Sequence, residues 1–335
     1  IRPNEENCKV WWFTKTNRLC IVELKFNNPN TKVGYDAVFK NRPVITPKSF
    51  EEAAEKYIHN LKDVITEKSI YKNNKPILML SGGVDSMLLG AIMNKYIPFE
   101  DSITIGCVKD TNDIKVSQDS AEKLGINNQL IYCTWDEVID NFDLIKGKPI
   151  KTVHDIVYYL TFYLCLKKTN VKERDLIQGD GADTLLGSHN VFPYKDVNKV
   201  MKIYNVPKNI AQTRCKQYYF TKANDPNRNF EKGSGHLFEL LAKELGANAV
   251  MAYKDDRVRW INDLDYDFSH PEHKVFPKKV IQYLGYDSAK VKRTIMQQGT
   301  GIYDKMKEHV CQLTGKSHFN SAVKQLVNQG ASLPI

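Results

Sequence analysis

The chain has 335 residues, 42% hydrophobic and 26% charged, a composition that suits one large folded domain or one domain with a smaller appendage. It contains no apolar run of about 18 residues, which excludes a hydrophobic membrane-spanning helix, and its opening Ile1-Arg-Pro-Asn-Glu-Glu lacks the apolar stretch of a signal peptide. A net charge of +9, carried by lysines spread along the whole chain, favours polyanionic partners (nucleotide phosphates or nucleic acid) unless it is only a solvated surface.

Residues 9–26 read as two β-branched and aromatic strands about a polar turn at Thr14–Arg18, a hairpin. Ser49 is placed to cap a helix, with Glu52 completing a capping box. Phe50, Ala53, Ala54, Tyr57, Ile58, Leu61 and Ile65 then recur at helical spacing and give that helix one buried face. Pro76–Leu80 is a short apolar run ending in glycines, the pattern of a strand buried on both faces, and Met87–Met93 reads as the helix after it. Ser102–Val108 and Gln129–Thr134 make two more strands, separated by a helix over Ser117–Leu124 that Gly125 closes. A helix over 153–168 leads to a strand at Asp175–Gln178. From about residue 190 the pattern is mostly helical, interrupted by the polar stretch Thr221–Gly235. Strands alternating with helices predict an α/β fold with a doubly wound parallel sheet, its ligand at the carboxyl ends of the strands. We divide the chain into an N-terminal hairpin (1–48), an α/β core (49–190) and a helical part that completes the site (191–335).

Two glycine loops carry the chemistry. In Ser81-Gly82-Gly83-Val84-Asp85-Ser86, the glycines let backbone approach a phosphate, and the following helix turns its first N–H groups toward the anion. Ser81 and Ser86 add hydroxyl donors, and Asp85 is suited to hold Mg²⁺ against phosphate oxygens. The loop has no lysine, so it is not the G-x-x-x-x-G-K-[ST] cradle for a γ-phosphate. The second loop, Gln178-Gly179-Asp180-Gly181-Ala182-Asp183, follows another short strand and sets two acids at the same sheet edge, where they can share metal binding and acid/base work.

The first loop resembles the S-G-G-x-D-S signature of the PP-loop ATP pyrophosphatases, or N-type synthetases, whose adenine nucleotide α-hydrolase-like fold serves AMP-forming activation of an acceptor oxygen. That resemblance implies ATP and Mg²⁺ as cofactors and nucleotide contacts from Leu80, Ser81, Gly82, Gly83, Asp85 and Ser86. The second loop is similar to the S-G-E-G-[SA]-D-E-x-x-G-G segment of the asparagine synthetase and β-lactam synthetase branch. By that likeness Gly179 lines the nucleotide site, Asp183 is a second Mg²⁺ ligand beside Asp85, and Asp180 stands where asparagine synthetases place a glutamate near the reacting centre. Gln178 replaces the family serine, Thr184 replaces a glutamate, and Asp180 is one methylene shorter than its counterpart, a difference that bears on which acceptor fits.

Residues 110–125 resemble the family's D-x-x-x-A-x-x-x-A-x-x-L-G helix, which puts Val108 and Asp110 against the nucleoside. Asp256–Ile261 is similar to A-R-V-P-F-L, with Arg259 in place of proline. The family's pyrophosphate lysine lies in an R-x-K-x-x-F segment; here the corresponding stretch is Val291–Gly301, and Lys292 or Arg293 supplies the charge unless both are surface residues of a helix end.

The synthetase-like part begins near residue 50, which leaves no room for the glutaminase domain of full-length asparagine synthetases, and neither Cys8 nor Cys20 is placed as its nucleophile. The nitrogen is then expected from a separate ammonia-supplying chain, from free ammonia or from an amine of the substrate. The seven cysteines form no C-x-x-C pair and the histidines no ligand cluster; buried thiols acting as small hydrophobes in a reduced, cytoplasmic protein are the expectation, with no zinc or iron–sulfur site. Three readings stand: an AMP-forming ligase acting on a small-molecule acceptor, a PP-loop enzyme modifying a nucleobase or tRNA, and a catalytically weak nucleotide sensor.

Overall fold

The computed structural model describes residues 8–13, 19–24, 43–99, 101–109, 111–185, 194–223, 234–269, 274–287 and 301–328. Strands β1 (Cys8–Phe13) and β2 (Leu19–Leu24) pair antiparallel, with Cys8 opposite Leu24 and Phe13 opposite Leu19, as the predicted hairpin requires. Its turn lies outside the described residues.

Helix α1 (Phe50–Lys68) begins where the capping signal puts it. Ser49 Oγ accepts the Glu52 N–H at 3.2 Å, whereas the Glu52 carboxylate reaches back one residue further than a capping box does, to the Lys48 N–H at 2.7 Å. Strand β3 (Ile77–Met79) leads through the first glycine loop into α2 (Val84–Tyr96). Strand β4 (Ser102–Gly106) is followed by α3 (Asn112–Leu124), which starts five residues before the predicted helix because Thr111 caps it, its side chain accepting the Ile114 N–H. Gly125 closes α3 at φ +65°, in the left-handed region that suits glycine. Strand β5 (Asn128–Tyr132) and the short α4 (Trp135–Asp140) precede α5 (Val153–Lys167), and β6 (Asp175–Ile177) runs into the second glycine loop. Beyond it lie α6 (Ala182–Leu185), α7 (Tyr194–Tyr204), α8 (Lys208–Ala223), α9 (Ser234–Glu244), strand β7 (Asn248–Val250), α10 (Asp256–Arg259), α11 (Tyr266–Ser269), α12 (Val275–Tyr283), α13 (Tyr303–Thr314) and α14 (Phe319–Asn328).

The main sheet has five strands in the order β5-β4-β3-β6-β7, each neighbouring pair parallel. β7 is the one strand of this sheet that the sequence pattern hides: it lacks the glycine loop that marks the end of the equally short β3 and β6. Strand sides alternate as the pleat demands. Leu78 and Leu80 pack with α1, α2 and α12 on one face, while Ile77 and Met79 pack with α5, α9 and α13 on the other. Asp175, fully buried at the start of β6, accepts the N–H groups of Ile70 and Tyr71 at 3.0 and 3.1 Å and the Asn248 amide at 2.6 Å, tying the α1–β3 connection to the β6–β7 edge.

From β3 the chain winds outward through β4 and β5, then crosses back to β6 and β7 on the other side. The winding direction therefore reverses between β3 and β6, and a crevice for a ligand is expected at that point. Both glycine loops leave the sheet there. No helix among the described residues is long and apolar enough to cross a membrane.

Candidate active site

The first loop closes on itself. The Ser81 N–H donates to Ser86 Oγ at 3.2 Å, the two hydroxyls lie 3.0 Å apart, Ser86 Oγ donates to the Gly83 carbonyl at 3.0 Å and the Gly83 N–H reaches Ser81 Oγ at 3.3 Å. Gly82 sits at φ +74° with its Cα facing the backbone of α3; a Cβ there would stand 2.5 Å from the Ser117 nitrogen. Only glycine meets both demands. Gly83 is the N-cap of α2 and brings no side chain to it, so the helix's first turn keeps its positive end facing the crevice. Leu80 is buried behind the loop, its N–H on Ile103 O at 2.9 Å and its carbonyl accepting Thr104 Oγ1 at 2.6 Å.

Asp85 forms an ion pair with Lys274, which immediately precedes α12; only 17% and 12% of the two side chains are exposed. The Asp85 backbone carbonyl accepts the Tyr253 hydroxyl at 2.9 Å. Burial, and then the nearby Asp85 charge, push the Tyr57 phenol well above its ordinary range; burial, then Tyr57 and Asp85, do the same to Tyr253. Neither phenol becomes a phenolate. Asp85 thus sits in a poorly hydrated setting where a cation on its carboxylate counts for more than it would in water.

The second loop is seated on the first. A Cβ on Gly179 would lie 3.2 Å from the Ser86 nitrogen and 3.5 Å from Asp85 Cβ, so a side chain there would press the two loops apart by a few tenths of an ångström. Gln178, 5% exposed, donates its amide to Tyr158 Oη at 2.5 Å, while its backbone N–H pairs with Val250 O at 3.2 Å. Asp180 is half-buried and close enough that its charge, second to burial, raises the Tyr158 phenol well above its ordinary range. Gly181, at φ +93°, leaves room for Lys254, whose Cγ would be 3.3 Å from a Cβ there. Gly235 makes room for the ammonium of the same lysine.

Of the predicted site residues, the fold brings Leu80, Ser81, Gly82, Gly83, Asp85, Ser86, Gly179 and Asp180 together at one crevice. Asp183 follows on α6, its side chain outside the described residues. Val108 is 44% exposed just beyond β4 and packs against Gly301, where a Cβ would stand 2.6 Å from Val108 Cγ2. Asp110, Lys292 and Arg293 lie outside the described residues. Sequence reasoning did not find Lys274 or Lys254: neither belongs to a local pattern, and each comes from the far part of the chain, Lys274 at the start of α12 and Lys254 at the end of the short 3-10 turn Ala252–Lys254. Among the described residues, no group of three or more His, Cys, Asp or Glu side chains is arranged to hold a metal ion by itself. A Mg²⁺ shared with phosphate oxygens does not need one.

A parallel sheet with a glycine loop at its switch point, followed by an acid-bearing loop on the neighbouring strand, defines an α/β protein of the PP-loop type. The sequence profile of the asparagine synthase family matches residues 71–300, more than half of the chain, and the chain belongs to that family of PP-loop ATP-dependent synthetases. No curated protein matches it. Among solved structures, it is similar to an NH3-dependent NAD synthetase from Campylobacter jejuni, at 14% identity and a TM-score of 0.33 over 59% of this chain and 94% of that one. It is also similar to a U34-tRNA thiolase from Methanococcus maripaludis (12% identity, TM-score 0.34, 84% of this chain and 79% of that one). An NMN synthetase from Francisella tularensis shows a comparable likeness, at 14% identity and a TM-score of 0.31 over 74% and 99% of the two chains.

Proposed function

We propose that the chain is an AMP-forming ligase. An oxygen of a small-molecule acceptor attacks the α-phosphorus of ATP, the bond to the β-phosphate breaks, and pyrophosphate leaves an acyl- or imidoyl-type adenylate. A nitrogen nucleophile then displaces AMP. The observation that supports this reading is the seating of Gly179, the residue before Asp180, on Asp85 and Ser86.

The residues fit a divalent cation, because the Asp85 carboxylate already accommodates one cationic group, the Lys274 ammonium. Asp85 and, by family resemblance, Asp183 would hold Mg²⁺, which when bound neutralises phosphate oxygens. The backbone of Ser81–Ser86 and the first turn of α2 orient the phosphates. In this reading Lys274 and Lys254 offer the positive charge on which pyrophosphate leaves, and Asp180 takes a proton from the incoming nitrogen. The test is exchange of labelled pyrophosphate into ATP against a panel of carboxylic acids and nucleosides. Asp85→Asn is expected to abolish the exchange, and a mutant turning over at the wild-type rate overturns the assignment.

The net charge of +9 favours a second reading, in which the acceptor is a base of a nucleic acid. It requires tRNA or DNA binding that weakens steeply with added salt, and no binding at low salt rules it out.

A further inference from the structure

Three cysteines distant in sequence meet at the carboxyl edge of the sheet, where isolated buried thiols were expected. Strands β4 and β5 are parallel and in register, Gly106 opposite Tyr132, so the next pair, Cys107 and Cys133, leaves the sheet side by side. The Cys133 N–H donates to Gly106 O at 3.1 Å. Their sulfurs are 3.1 Å apart, about 1 Å more than a disulfide bond. Two thiolates on one zinc ion would stand about 3.7 Å apart, so this spacing suits a sulfur–sulfur bond better than shared metal ligation. Cys165, on α5, packs against the pair, its thiol directed at the carbonyls of Ile131 and Gly106 at 3.6 and 3.9 Å. Lys168, just past the end of α5, sets its ammonium on Tyr132 O at 2.7 Å and supplies positive charge to the group. Thiol hydrogen bonds, first from Cys107 and then from Cys165, hold Cys133 well below the ordinary thiol range, while bonding to Cys133 raises Cys107. Cys107 is half-buried and Cys133 fully buried, so Cys107 is the more accessible residue of the pair.

We propose that Cys107 and Cys133 form a reversible disulfide on exposure to a peroxide, and that this bond loosens the first glycine loop. The pair has lost one proton to solvent and shares the other, which rests mainly on Cys107; when it shifts to Cys133, the sulfur of Cys107 attacks one peroxide oxygen, the O–O bond breaks, hydroxide leaves and takes up a proton from solvent as water, and Cys107 becomes a sulfenic acid. Cys133 then displaces the hydroxyl from Cys107, its proton leaving with it as a second water. Two thiols are oxidised and one peroxide is reduced.

The coupling is mechanical. Cys107 precedes Val108, which is wedged on Gly301, and Thr111, which caps α3. The backbone of α3 at Val116–Ser117 is the surface on which Gly82 rests with no space for even a methyl group. Drawing the two sulfurs together by about 1 Å pulls on that segment, and a packed contact of this kind does not absorb a shift of that size smoothly. The consequence for ATP rests on the ligase reading above; the cross-link and the loosening do not.

The experiment compares the full chain reduced, treated with hydrogen peroxide, and re-reduced with dithiothreitol. Non-reducing digestion and mass spectrometry should show the Cys107 and Cys133 peptides joined. Amide exchange at residues 82–86 should accelerate several-fold, and ATP affinity should fall about tenfold, a change of about 1.4 kcal/mol. Re-reduction should reverse all three, and Cys107→Ser and Cys133→Ala should show none of them. A Cys133–Cys165 bond, an intermolecular bond, or exchange at 82–86 unchanged by oxidation overturns the proposal. If the reduced chain binds no ATP, the ligase reading fails, while the cross-link and the exchange data still decide this one.

Discussion

Lys274 holds the carboxylate of Asp85 from 189 positions further along the chain, so the acid at the heart of the first glycine loop is completed by an element the loop's own sequence does not contain. The pair sits mostly out of water, where taking away one partner leaves the other charged and poorly solvated.

Lys274→Met should therefore destabilise the protein by roughly 2 kcal/mol, less than a fully buried pair because both groups keep some contact with solvent. Mg²⁺ with ATP should recover part of the loss, and pyrophosphate exchange should fall about 10- to 100-fold. Thermal unfolding with and without Mg²⁺ and ATP checks the first point. A melting temperature unchanged from the wild type would show that the pair contributes nothing.

Gly82→Ala should cost about 3 kcal/mol or more, since it combines a left-handed backbone with overlap of the Ser117 backbone. Gly179→Ala, where the overlap is milder, should cost about 1 kcal/mol yet reduce pyrophosphate exchange at least tenfold by prising the two loops apart. Denaturant unfolding and exchange assays on the two variants separate the effects. Equal losses of stability would contradict the geometry.

Asp180→Glu restores the side-chain length of the related synthetases. Pyrophosphate exchange driven by the protein's own acceptor should fall, the KM for ATP should stay within about twofold, and the acceptor preference should change. Measured across the acceptor panel, a variant with wild-type acceptor preference places Asp180 away from the reacting centre.

Asp255 caps α10 and is held well below the usual carboxylate range, first by the Arg257 guanidinium and then by Lys68. A carboxylate whose folded value is depressed stabilises the fold fully above its unfolded value of about 3.9, and that contribution is lost as the pH falls through the folded value. Asp255→Asn should cost about 1 kcal/mol near neutral pH, Arg257 being partly exposed, and the difference from wild type should shrink steadily below about pH 4. Urea midpoints measured against pH test this; a difference that stayed constant down to pH 2 would assign the stabilisation to something other than charge.

The sequence by itself determined what depends on near neighbours. Ser49 and Gly125 set helix ends through bonds within four residues; Leu78 and Leu80 against Ile77 and Met79 alternate because the pleat does; and Gly82 announces a phosphate-type turn because no other residue adopts that conformation in that space. Most of the main sheet, and the half of the site formed by the two loops, were legible on those terms. The tertiary structure alone decided the rest. Strand β7 is held by its partner β6 rather than by its own pattern, Lys274 and Lys254 reach the loops from the far part of the chain, and Cys107 and Cys133 become neighbours only when β4 and β5 pair in register. Each of these is a contact between segments far apart in sequence, fixed by burial and strand pairing across the whole core, and no local spacing of residues encodes such a contact.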